Sequence, residues 1–104
     1  MFVAMNRFRI NEGQEEAFEE VWRNRQSRLA DVPGFESFHL LRGAFDEESR
    51  TTLYASHTIW HSEAHFADWT RSEHFRAAHR NAGDNRGMYA GHPVFEGFTA
   101  VLSE

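Results

Sequence analysis

Seven histidines in a chain with neither cysteine nor lysine set the chemistry open to this sequence. The missing thiols exclude disulfides, zinc ribbons, thiolate-ligated haem and cysteine nucleophiles. All eleven basic residues are Arg, so no lysine can form a Schiff base or cradle a phosphate in a P-loop. His61 and His65 stand four apart, the spacing of two zinc ligands on one helix face. A third ligand is not evident, and His61 falls at or before the helix start, so a solvated pair outweighs a metal site. His39 and His57 fall on neighbouring strands and read as sheet residues. Spacing proposes no Ser-His-acid constellation, and the scattered carboxylates read as solvated helix faces and loop charges.

Three residues carry more. Asn6 interrupts the row Phe2, Ala4, Phe8, Ile10, and an amide in that row either finds a partner or costs about 1–3 kcal/mol. One reading is a polar residue bonded to backbone or water. The other is an amide aimed into an apolar pocket. Trp69 shares a stripe with Phe66 and reads as core. His79 lies near a helix C-terminus, where an imidazolium is favoured by the dipole. On one continuous helix Trp69 and His79 would stand ~15 Å apart at 1.5 Å per residue. A helix break near Ser72 would bring them closer and let both line one cavity. An amide, an indole and an imidazole around an apolar space, with Arg at the rim, suit a large flat anionic ligand.

The elements that must hold these groups follow from periodicity. Residues 2–10 alternate with period two and predict a strand. Ala17, Phe18, Val21, Trp22, Arg25 and Leu29 recur at three and four, predicting a helix over about 14–31 that Pro33-Gly34 stops. Its early Glu and late Arg suit the dipole and permit a Glu19–Arg23 pair. Aromatic and β-branched runs predict strands at about 35–43 and 51–60, a hairpin across an acidic loop. Ser62 and Glu63 open a second helix. It is expected to break near 70–72, with a short helix continuing to about Arg80. Residues 81–93 read as a long loop, often a lid or binding segment, and 94–102 as a last strand.

The order β-α-β-β-α-β predicts an α+β fold, the ferredoxin-like plait, with an antiparallel sheet and helices on one face. Residues 1–104 read as one domain. Helices on one side leave the other sheet face to be covered, which predicts a homodimer closed through the sheets.

Hydrophobic residues at 40% and charged residues at 26% are a globular balance, and ten Phe with three Trp supply a small core with large side chains. A net charge of −5 argues against nucleic-acid binding. The basic aromatic motif of the RNA-recognition module, which shares this topology, is also missing from strands two and three. No apolar run reaches the ~18 residues of a membrane span, and the first residues lack the pattern of a signal peptide. A soluble, cytoplasmic protein is expected.

Asn6-Arg7 on the first strand, then Phe66-Ala67-Asp68-Trp69-Thr70-Arg71-Ser72 running into Phe75-Arg76-Ala77-Ala78-His79-Arg80, resembles the IsdG-type haem-degrading monooxygenases. These belong to the antibiotic-biosynthesis-monooxygenase superfamily of dimeric ferredoxin-like proteins. Pro33-Gly34-Phe35 and Trp60 also fit, and the likeness covers about residues 1–80. The Asn, Trp, His set is the specific part; the plait and the Pro-Gly-Phe turn occur across the superfamily.

The resemblance implies that His79 is the axial ligand of the haem iron, an imidazole role open to a chain without Cys. It implies that Asn6 is the distal amide and that Trp69 presses on the porphyrin and ruffles it. Arg25 matches a basic position near the propionates, although Val21 stands where another Arg is common. Phe66 and Phe75 would wall the haem. Haem would be substrate and cofactor together, opened at a meso carbon with dioxygen and electrons from an external reductase, releasing iron. Two other readings remain: a cofactor-independent monooxygenase of phenolic or quinol substrates, and a haem-binding protein without turnover.

Overall fold

A computed structural model describes residues 1–25, 28–72 and 87–104. The chain runs β1 (Phe2–Asn11), α1 (Glu15–Arg23), a 3-10 turn (Leu29–Asp31), β2 (Phe35–Asp46), β3 (Thr51–Trp60), α2 (Glu63–Thr70) and β4 (Val94–Thr99). Its four strands form one antiparallel sheet in the order β2-β3-β1-β4. This is the ferredoxin-like plait that the alternation and helical periodicity predict.

The face of β1 read from the sequence is the inner one: Phe2, Ala4, Phe8 and Ile10 are all buried beneath the helices. Their cores are separate. Phe2 and Ala4 pack with Leu29, Val32, Trp60 and Trp69. Phe8 and Ile10 pack with Phe18 and Tyr54, flanked by Trp22 and Tyr89. Asn6 lies between the two groups on the same face.

That division explains why α1 is shorter than the stripe predicts. The helix ends at Arg23, and the Asn24 N–H closes it on Glu20. Arg28 then takes a left-handed conformation at φ 52°, which a right-handed helix cannot continue through. Leu29 therefore packs with Trp60, whereas Phe18 packs with Tyr54. The 3.6-residue spacing continues in the sequence, but the chain crosses from one core to the other. The Glu19–Arg23 pair does form, at 3.2 Å.

Strand ends differ for backbone reasons. β2 runs on to Asp46, past a register irregularity between Arg42 and Phe45 that breaks its alternation. β4 stops at Thr99 rather than Leu102, because Thr99 is opposite Phe2, where β1 begins. Beyond it only the Ala100 N–H finds a carbonyl, that of Met1. Part of the expected 81–93 loop is tied down: the Asn11 N–H donates to Met88 O and the Ala90 N–H to Arg9 O, each at 2.8 Å. Tyr89 forms an isolated bridge with Ile10. The expected short helix after Ser72, with Phe75 and His79, and loop residues 81–86 lie outside the described residues. Among the described residues no helix is long and apolar enough to cross a membrane.

Candidate functional site

Antiparallel register brings side chains into rows across the inner face. The row through Asn6 contains Phe95 of β4, Asn6 of β1, Ser56 of β3 and Leu40 of β2. On one side lies the row Ala4, Thr58, Phe38; on the other, Phe8, Tyr54, Arg42. Asn6 is half-buried and Ser56 is 8% exposed. Neither belongs to either core, so a polar seam runs between two aromatic walls.

α2 supplies one wall. Ser62 caps it, its Oγ accepting from the His65 N–H, as the sequence predicts. Trp69 is 7% exposed, its ring 5.4 Å from Trp60 and 6.2 Å from Phe66. Phe66 lies 5.5 Å from Phe2 and stacks at 7° on Phe95. The helix ends at Thr70 and is capped at Arg71, where the break was expected. Its seat depends on Gly34, which has φ +84° and whose missing Cβ would meet the His65 ring at 2.2 Å. The Pro-Gly-Phe turn thus needs glycine twice over, for backbone conformation and for helix approach. His61 and His65 lie 5.5 Å apart between rings, and His65 Nδ1 is 2.8 Å from Ser62 Oγ.

α1 and β2 supply the other wall. Glu19, Trp22, Arg23, Phe38, Leu40, Arg42 and Tyr54 line a hollow of about 470 Å³. Trp22 stacks on Phe38 at 5.6 Å. The Arg25 guanidinium sits 4.2 Å from the centre of the Trp22 ring and 5.7 Å from that of Phe38, within cation–π range. Burial pushes Arg25 down to about 10. Among the described residues no carboxylate pairs with it, although Arg23 and Arg42 both pair with Glu19. An acidic group entering beside Trp22 would answer that charge.

Deeper in this wall, the Tyr54 hydroxyl donates to Glu19 Oε2 at 2.5 Å. That bond, with Arg42 and Arg23 nearby, holds the Glu19 carboxyl below its usual range. Burial and the Glu19 carboxylate hold the Tyr54 phenol well above its own.

The structure therefore brings Asn6, Phe66, Trp69 and Arg25 onto the helix-covered face. His39 and His57 are directly opposite each other on the other face. Trp22, Phe38, Ser56 and the Tyr54–Glu19 pair were not singled out in the sequence. Alternation marks Tyr54, Ser56 and Thr58 as one face of β3, but only register shows that Ser56 is beside Asn6. An apolar cradle with a polar seam, and with a cation, Arg25, that pairs with no carboxylate among the described residues, can bind a flat, largely apolar anion carrying a polar centre.

The antibiotic biosynthesis monooxygenase family matches residues 1–81. Among solved structures, the chain is similar to a heme-degrader, MhuD from Mycobacterium tuberculosis with two hemes bound in its active site. Identity is 24% and the TM-score 0.75, covering 100% of this chain and 99% of that one. It is also similar to SnoaB, a cofactor-independent oxygenase from Streptomyces nogalater, at 22% identity and TM-score 0.66, covering 98% and 94%. A mutant of MhuD with two manganese protoporphyrin IX bound per active site matches at 23% identity and TM-score 0.77, covering 100% and 98%.

Proposed function

From the premise that this chain belongs to the antibiotic biosynthesis monooxygenase family, we propose that it is a haem-degrading monooxygenase of the IsdG type. The observation that carries this reading is Asn6, an amide on the inner face that makes no side-chain hydrogen bond among the described residues. The resemblance assigns the distal polar contact to this residue. The family fold alone does not choose, since similar structures include a heme-degrader and a cofactor-independent oxygenase. A haem-free oxygenase has no use for an iron-binding imidazole, and the resemblance assigns that role to His79.

The described residues fit haem. Aromatic rings on both sides of the seam offer faces for a porphyrin, and Arg25 offers a desolvated cation to a propionate. His79 would hold the iron, Asn6 would face it from the sheet, and Phe66, Trp69 and Phe75 would wall the ring. When bound, haem supplies the iron centre that activates dioxygen, using electrons from an external reductase, and the ring that is opened to release iron.

The chain's own residues do the rest. The Asn6 amide, carried on a strand paired on both sides, would offer a hydrogen bond toward the haem centre from a fixed direction. The Trp69 indole, braced by Trp60 and Phe66, would pack against the bound ring. The aromatic walls exclude water, which strengthens both the amide contact and the Arg25 pair.

The second part of this reading is a homodimer through the outer sheet face, which carries Val3, Met5, Leu53 and Ile59 in its centre. Leu41, Val94 and Phe98 are 43%, 58% and 47% exposed at its margins. Sedimentation at micromolar concentration should give twice 12.1 kDa; a compact monomer would overturn it.

Adding hemin and following the absorption spectrum tests the activity. A shifted Soret band that disappears with release of iron, once reductant is added under air, is the expected result. A shifted band that persists would make the protein a haem binder. No shift would favour the haem-free oxygenase.

A further inference from the structure

β3 carries four buried Ser and Thr residues on the described chain: Thr51, Thr52, Ser56 and Thr58. Three are bonded within the protein. Thr51 Oγ1 lies 2.7 Å from Ser49 Oγ, the Thr52 hydroxyl donates to Glu15 at 2.9 Å, and the Thr58 hydroxyl donates to Ala4 O while accepting from Trp60 Nε1. On the same strand the Tyr54 hydroxyl is bonded to Glu19. Ser56, more than nine-tenths buried, makes no such bond among the described residues. Its register partner on β1 is Asn6, the other polar side chain of this row without one.

Two neighbouring coincidences on one face need one cause. Partners in register on neighbouring antiparallel strands have Cβ atoms ~5 Å apart, so amide and hydroxyl can address the same small group. A buried strand position flanked by Tyr54 and Thr58 would ordinarily take a β-branched apolar residue. Resting on the haem reading above, we propose that Ser56 is a second ligand-facing donor. Its hydroxyl, beside the Asn6 amide, contacts the polar centre of the bound haem from the sheet side. The site then presents two donors from adjacent strands rather than one.

The test uses carbon monoxide on the reduced haem complex, because the C–O stretching frequency reports hydrogen-bond donors near the bound gas without any turnover. Hemin is first titrated into the parent protein, Ser56→Ala, Ser56→Thr and Asn6→Ala. All four are expected to shift the Soret band, with affinities within about tenfold of one another, the loss of one ordinary hydrogen bond. The C–O band should then move to higher frequency in Ser56→Ala and in Asn6→Ala, and further in the double variant. Ser56→Thr, which keeps the hydroxyl, should return it toward the parent position. A Soret shift in every variant with a C–O band unmoved by Ser56→Ala would overturn the Ser56 assignment alone. A parent protein that leaves the hemin spectrum unshifted would overturn the haem reading and this inference with it.

Discussion

One row apart on the same sheet face, two sets of polar groups meet opposite fates. At Tyr54 the hydroxyl donates to Glu19, which also accepts from Arg42 and Arg23. Every polar group there is answered by another part of the chain. At Asn6 and Ser56 neither side chain has a hydrogen-bond partner among the described residues. Both rows lie on the helix-covered face between aromatic neighbours, with Tyr54 1% exposed and Asn6 half-buried. What differs is that the fold completes the hydrogen bonds of the first row and leaves those of the second open among the described residues. On the haem reading proposed above, the first arrangement serves stability and the second recognition.

Substitutions at the two rows should therefore separate activity from stability. His79→Ala should have the largest effect, ending iron coordination and haem degradation together while circular dichroism stays at the parent level. Asn6→Ala should come next. Degradation measured by loss of the Soret band should fall by about 10²–10³, the usual cost of removing one preorganised donor. Haem affinity should change no more than about tenfold, and the denaturant midpoint should not fall, since no internal bond is lost. A lowered midpoint at parent activity would erase the contrast between the rows.

Tyr54→Phe should show the reverse. Removing a hydrogen bond to a charged group should cost about 1.5–3 kcal/mol in urea unfolding, with haem affinity nearly unchanged. That cost should also depend on pH. The Glu19 carboxyl is held below its usual 4.5 in the fold, so the stability it contributes is fully present above that value. It is lost as pH falls through the lowered folded one. Unfolding curves from pH 7 downward should therefore converge for parent and Tyr54→Phe in acid, and parallel curves would remove Glu19 from the account. Arg23→Ala should be smallest. Its pairs with Glu19 and Glu20 lie on the surface, with the Arg side chain 62% exposed, and about 0.2–0.5 kcal/mol is expected.

Much of this contrast could be seen in the sequence from one side only. Alternation in β1 identified Asn6 as the exception on an apolar face, and the Ser62 cap and Glu19–Arg23 pair followed from spacing. Ser56 could not be found that way. Ala55-Ser56-His57 is unremarkable along the strand, and its meaning depends on a pairing with β1 across fifty residues. The length of α1 failed for a related reason. Arg25 and Leu29 continue the helical stripe, yet Arg28 turns left-handed and the stripe divides between two cores. Local pattern states which face a residue takes; register and core membership state what it meets there. The residues near His79 lie outside those described, so for that part of the site the resemblance supplies the assignment.

Gly34 gives the cavity an adjustment point far from any chemistry. Because nothing projects from it, the first turn of α2 rests directly on the turn before β2, and Trp69 is one turn further along the same rod. The height of the indole above the sheet is thus set from beneath, by a clearance smaller than one methyl group. An engineer wishing to admit a bulkier ring could leave the aromatic walls untouched. A side chain at position 34 would act as a shim, lifting the helix at its base and carrying the wall outward with it.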